Sequence, residues 1–288
     1  MKISRKDAIK SLAGLSLTSY VGLPSLNFKK AEKNNKRTFK HSVCQWPYGN
    51  NTLEEICEAA VEIGIDSVEL LDPKDWPTVQ KYGLTCAMAN SGPYHIPKGF
   101  NNPEYHEQLQ KDYEDLIPKA AEAGLPNIIC FSGNREGMDD ETGLENCAVG
   151  LEPLVKLAEK LDIVVCMELL NSKVDHPDYQ CDHTEWGVKL VDKIGSDHFK
   201  LLYDIYHMQI MEGDIIATIR DYSDYIGHYH TGGVPGRNEI DETQELNYKA
   251  IMEAISETGF DGFVGQEFIP TNEDVFSSLK QGVEICSV

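Results

Sequence analysis

The chain has 288 residues and 41% hydrophobic content, enough to bury one large α/β barrel or two ordinary domains. Asp and Glu number 47 against 26 Lys and Arg, a formal net charge of -21. A folded body this acidic repels polyphosphate, so nucleic acid is excluded as an expected partner, whereas a small substrate held through a cation is compatible with it.

The chain opens with Lys2, Arg5, Lys6 and Lys10, continues through a weakly apolar run over 11–26, and then carries Lys29, Lys30, Lys33, Lys36 and Arg37. That order resembles an export signal, so residues 1–38 are expected to form an export-signal-like segment and basic linker that direct the protein to the periplasm. The Ser4-Arg5-Lys6 stretch is similar to a twin-arginine signal with Lys in the second place, and no A-x-A cleavage site follows it. The alternative is a disordered basic tail on a cytoplasmic enzyme. Gly14, Gly22 and Pro24 break the run, so the mature protein is not expected to span a membrane.

From residue 39 to 288, short β-branched runs alternate with amphipathic stretches, the signature of repeated βα units and a parallel sheet. Strands are predicted over 41–45, 67–71, 85–90, 127–132, 163–169, 200–205, 225–230 and 262–268. Helices are predicted over 52–63, 76–81, 103–123, 144–161, 183–193, 214–220, 248–258 and 272–282. Leu53, Ile56, Cys57, Ala60 and Ile63 show the three- and four-residue spacing of a helix that buries one face. Gly64, Gly124 and Gly259 stop helices just before a strand. Eight units over this length fit a single (β/α)8 TIM barrel better than two open sheets. Cys86, Cys130 and Cys166 fall inside predicted strands and no CxxC occurs, so most of the 8 cysteines read as buried thiols.

In such a barrel, catalytic groups stand at the carboxyl ends of the strands. The last polar residues of strands five to eight are Glu168, Asp204, His230 and Glu267, each after an apolar run. Singly, each is an ordinary strand-end polar residue. In four consecutive strands they read as one site at the barrel mouth. Three carboxylates brought together repel unless a cation sits between them, and three oxygen donors with one imidazole suit a divalent metal. Mn2+ is the preferred ion, with Mg2+, Co2+ or Zn2+ as alternatives.

These residues, with Phe131-Ser132-Gly133-Asn134-Arg135, Tyr203-Asp204-Ile205-Tyr206-His207 and Val234-Pro235-Gly236-Arg237, resemble the xylose-isomerase-like superfamily of TIM barrels, and within it the hydroxypyruvate isomerase and ketose 3-epimerase branch. The resemblance implies Glu168, Asp204, His230 and Glu267 as metal ligands, Glu168 and Glu267 as the catalytic proton-transfer pair, and His207 and Arg237 as substrate-binding residues. It departs from the hydroxypyruvate isomerases at His230, where they more usually carry Gln. The implied activity is metal-dependent isomerisation or epimerisation of a small sugar or hydroxy-keto acid through an enediolate, in a chain open to assembly as a homo-oligomer. A dehydratase of a keto-polyol on the same barrel and a non-catalytic exported sugar-binding barrel are the alternatives; a nuclease would need more strand-end histidines and a basic rim.

Several further residues have two readings. His95 is a pocket residue or a loop histidine, Trp46 and Tyr48 are sugar-stacking rings or plugs, and Asn134 and Arg135 contact a substrate carboxylate or hold a loop. Cys181-Asp182-His183 offers too few ligands for a metal site, and Gly232-Gly233 is too short for a phosphate cradle.

Overall fold

A computed structural model describes residues 38–91 and 96–288. The expected export segment up to residue 37, and His95, lie outside the described residues. The strands are β1 (Lys40–Cys44), β2 (Ser67–Glu69), β3 (Met88–Ala89), β4 (Asn127–Cys130), β5 (Val164–Glu168), β6 (Phe199–Asp204), β7 (Ile226–Thr231) and β8 (Phe263–Gln266). All pair in parallel, in the order β2-β1-β8-β7-β6-β5-β4-β3. The seam between β2 and β3 closes through single parallel bridges, Ser67 to Thr85 and Leu71 to Ala89, and through Leu70 N–H donating to Met88 O at 2.8 Å. The result is a nearly closed (β/α)8 barrel, as the repeated units predict.

The helices are α1 (Leu53–Ile63), α2 (Trp76–Lys81), α3 (His106–Glu122), α4 (Asp140–Leu161), α5 (Thr184–Ile194), α6 (Ile205–Met211), α7 (Ile215–Tyr222), α8 (Tyr248–Glu257) and α9 (Val275–Ile285). α1 shows how local sequence sets its ends. Thr52 and Glu55 form a reciprocal capping box, and Gly64 at φ 91° ends the helix in the left-handed conformation. The helices' apolar faces pack on the outside of the strands to form the main core, while Met88, Ile129, Cys166 and Leu202 from β3 to β6 form a separate small cluster. All 8 cysteines are free and buried. Among the described residues no helix is long and apolar enough to cross a membrane.

The prediction and the structure differ most at three places. α4 starts at Asp140, earlier than the apolar spacing suggests, because the Asp139 side chain accepts the Thr142 N–H and caps it. β3 is only two residues long, its early part reduced to the bridge at Thr85. α6 follows β6 with no loop between, since Asp204 is both the last strand residue and the cap that accepts the His207 N–H at 3.2 Å.

Candidate metal centre and active site

The ends of β5 to β8 bring Glu168, Asp204, His230 and Glu267 together, with one ligand atom from each lying within 4.8 Å of the others and all four residues buried. Glu168 and Asp204 are the terminal residues of their strands, His230 precedes the end of β7, and Glu267 follows β8 with its N–H bonded to Thr231 O at 3.1 Å. His230 Nδ1 stands 2.7 Å from Glu267 Oε2 and 3.2 Å from Glu168 Oε1. Arg237 Nη2 reaches Asp204 Oδ2 at 3.0 Å and Glu267 Oε2 at 2.6 Å.

The carboxylates differ in their surroundings. Burial pushes the Glu267 carboxyl up, but Arg237 and His230 together with the Trp46 N–H outweigh it and hold Glu267 well below the usual carboxylate range. Burial pushes Asp204 up to about 8, the neighbouring Glu267 and Glu168 adding to it against the pull of Arg237 and His230. Glu168 is likewise raised by burial. Three mutually repelling acids with raised and lowered members are the expected condition of a cation site whose acids face one another.

His207 is fully buried, and burial with the nearby Arg237 charge holds its imidazole well below the ordinary histidine value, so the ring is neutral. Asn171 then decides its tautomer. The Asn171 Oδ1 accepts the Val174 and Asp175 N–H groups at 3.0 and 2.9 Å, which turns its Nδ2 toward His207 Nδ1 at 2.6 Å. An amide N–H donating to Nδ1 leaves the ring proton on Nε2, which is buried without a partner 3.7 Å from Asp204 Oδ2. Arg237 has the same character: its guanidinium lies 5.2 Å from both the Trp46 and Tyr206 ring centres, and its Nε is buried without a partner.

Strand-end reasoning missed Glu69 and His228. Glu69 Oε1 stands 2.9 Å from His228 Nε2 and 2.9 Å from His230 Nε2, and Cys44 Sγ approaches the same oxygen at 3.5 Å. The signal was present, since an acid inside the apolar run Ser67-Val68-Glu69-Leu70-Leu71 breaks the same rule that singled out Glu168. Asn171 carries no role in the sequence reading, because its amide has no direction until the fold orients it.

The residues with two readings now separate. Trp46 is 42% exposed and donates its indole N–H to Glu267 Oε1 at 2.7 Å, so it belongs to the mouth of the site. Tyr48 is buried and stacked on Phe276, a plug. Arg135 pairs with Asp182 at 2.9 Å and donates to the Tyr179 and Gln180 carbonyls, holding a loop that Asn134 bridges to Tyr179. Asp182 is engaged by Arg135, Ser172 and His183, and among the described residues no metal-ligand group includes Cys181, Asp182 or His183. Gly232 and Gly233 give their N–H groups to Tyr248 Oη and Asn238 O, so neither N–H is left to cradle a phosphate.

Residues 57–281 match the family profile described as xylose isomerase-like TIM barrel. The hydroxypyruvate isomerase of Escherichia coli (strain K12) is 28% identical over 224 residues, covering 74% of this chain and 86% of that protein. A 2-oxo-tetronate isomerase of Cupriavidus necator is 28% identical over 238 residues, covering 77% of this chain and 89% of its own. Among solved structures, that of an AP endonuclease, family 2, from Brucella melitensis superposes with a TM-score of 0.77 at 23% identity, over 85% of this chain and 99% of that one, which shows the shared fold.

Proposed function

This chain belongs to the xylose isomerase-like TIM barrel family, and on that premise we propose that it is a metal-dependent isomerase or epimerase of a small sugar or hydroxy-keto acid, similar in activity to its isomerase relatives. The observation that carries the reading is the convergence of Glu168, Asp204, His230 and Glu267 on one buried point at the barrel mouth. Three carboxylates and one ring nitrogen fit a divalent ion such as Mn2+ in number, hardness and spacing, and these four residues would hold it. Bound there, such an ion supplies Lewis-acid polarisation of the substrate carbonyl, worth several kcal/mol of barrier by the usual order of magnitude, about 3 or more.

The chain's own residues do the rest. Glu267, kept ionised by Arg237, His230 and Trp46, is the base that takes a proton from the carbon beside the carbonyl. Glu168, whose carboxyl burial raises, returns a proton to the neighbouring carbon, and the hydroxyl proton passes to the former carbonyl oxygen, so mass is conserved. The buried Nε2–H of His207 and Nε–H of Arg237, both without protein partners, are donors for the substrate oxygens that gain negative charge.

Incubation with ketoses, aldoses, keto acids and inososes in the presence of Mn2+ tests the activity. Interconversion at constant mass is expected. A product lighter by one water would make the protein a dehydratase, and no turnover with any compound or metal would leave a binding barrel.

Two variants test the donors. Arg237→Ala is expected to cut kcat/KM by about 100-fold or more, a charge-assisted hydrogen bond being lost in a dry site, while elemental analysis still finds the ion, because the divalent charge itself offsets the carboxylates. Loss of the ion would make Arg237 a support of the ligands and not of substrate. Asn171→Ala is expected to lower kcat/KM by about 10-fold through the freed His207 tautomer, and to lower Tm as well because the buried amide's hydrogen bonds are lost. An unchanged kcat/KM would remove Asn171 from the site.

A further inference from the structure

Glu69 is a fully buried carboxylate that the proposed mechanism does not use, and among the described residues its ion-pair partners are two imidazoles, with no Lys or Arg. Leaving a carboxylate so far from water without a fixed cation is costly unless its hydrogen bonds are well placed. Its Oε1 lies 2.9 Å from His230 Nε2, on the far side of the ring from Glu168 and Glu267, which face Nδ1 at 3.2 and 2.7 Å. Gly265 on β8 makes room for this contact, since a Cβ there would meet Glu69 Oε1 at 2.2 Å and His230 Cδ2 at 2.9 Å.

A neutral imidazole carries one ring proton. If Nδ1 is to offer its lone pair toward Asp204, Glu168 and Glu267, the proton must sit on Nε2, and Glu69 is the carboxylate placed to accept it there. We infer that Glu69 is a positioning residue of the metal centre: it accepts the Nε2–H of His230, fixes the tautomer with Nδ1 free, and holds the ring toward the other three ligands. His228 donates to the same oxygen from the same strand, its ring edge-on to His230 at 5.1 Å, and steadies the carboxylate from the second side. Carboxylates behind ligand imidazoles raise their basicity and typically change metal affinity about 10- to 100-fold. The inference rests on the proposed metal site at Glu168, Asp204, His230 and Glu267.

A rival use of the same atoms is a second ion, since Glu69, His228 and His230 also gather within 4.8 Å. Spacings of 2.9 Å from one oxygen to both nitrogens are those of hydrogen bonds, which favours positioning.

The test titrates Mn2+ into metal-stripped full-length wild type, Glu69→Gln and Glu69→Leu, and records ring N–H signals of the ¹⁵N-histidine-labelled, Zn2+-loaded proteins. Wild type is expected to bind one Mn2+ and to show a slowly exchanging, downfield Nε2 proton of His230, identified by its loss in His230→Gln. Glu69→Leu is expected to bind Mn2+ about 10- to 100-fold more weakly and to lose the downfield position of that proton, with Glu69→Gln in between because its amide oxygen still accepts. Mn2+ affinities of both variants within twofold of wild type, a wild-type His230 proton on Nδ1, or two ions per chain would overturn the inference. The wild-type spectrum decides even if neither variant folds. Absence of Mn2+ binding by wild type, or binding unaffected by Asp204→Ala, overturns the metal-centre reading itself and is told apart from failure of Glu69 alone.

Discussion

Glu267→Gln protein is expected to keep most of its metal and to lose turnover by about two to four orders of magnitude, the usual size of a positioned acid-base contribution. Glutamine keeps one oxygen donor and nearly the same shape but cannot take a proton at neutral pH. The surroundings sharpen the expectation. Trp46 Nε1 donates to Oε1 and Arg237 Nη2 to Oε2, so the amide can satisfy only one of these donors with its oxygen. The lost bond weakens the ion's hold modestly, whereas the lost base removes the chemistry. Glu168→Gln is expected to behave likewise, and the double variant to lose little more than either single one, because the pair acts as a unit. Turnover measured beside metal content by elemental analysis checks this. In D2O, wild type is expected to place deuterium on the carbon next to the carbonyl where solvent exchange outpaces return of the proton. Near-normal turnover by either single variant, with metal retained, would refute the two-glutamate mechanism.

The residues in these tests were legible in the sequence for a physical reason. The carboxyl end of each barrel strand is a fixed place, and a charged residue there after an apolar run is costly unless it has work to do. Glu168, Asp204, His230 and Glu267 follow from that rule, and the structure brings all four together. The rule was read only along β5 to β8, and Glu69, the last residue of β2, escaped it because Leu70 and Leu71 carry the apolar run past it. What it touches depends on which strand closes the barrel: β1 pairs with both β2 and β8, which brings Glu69 beside Gly265 and the β7 histidines. No local pattern contains that register. Asn171 escaped differently, because an amide carries no direction until the Val174 and Asp175 N–H groups claim its oxygen. The double role of Asp204 as last strand residue and helix cap hid α6, since periodicity expects a loop between strand and helix.

Exhaustive chelation is expected to abolish activity and to lower Tm by roughly 5 to 10 °C, both restored by Mn2+. An ion bound only by the folded chain stabilises it by RT ln(1 + [L]/Kd), about 2.7 kcal/mol at a hundredfold excess over Kd, and each kcal/mol moves Tm by about 2 to 4 °C for a chain of this size. The pH dependence follows from the acids. In the metal-free chain burial holds Asp204 up to about 8, so near neutral pH a proton occupies a place the ion needs, and burial raises Glu168 in the same direction. His230 holds another: burial lowers its imidazole, but Glu267, Cys44 and Glu168 outweigh burial and keep the ring well above its ordinary value. The ion must displace these protons, so affinity is expected to rise with pH through 8 and binding should release protons across that range. Calorimetric titration of Mn2+ in buffers of different ionisation enthalpy counts them directly. Affinity that falls as pH rises from 6 to 8 would mean the ion binds elsewhere. Full activity in protein shown by elemental analysis to hold no metal would sink the shared site, and with it the reason for three carboxylates and an imidazole to meet at one buried point.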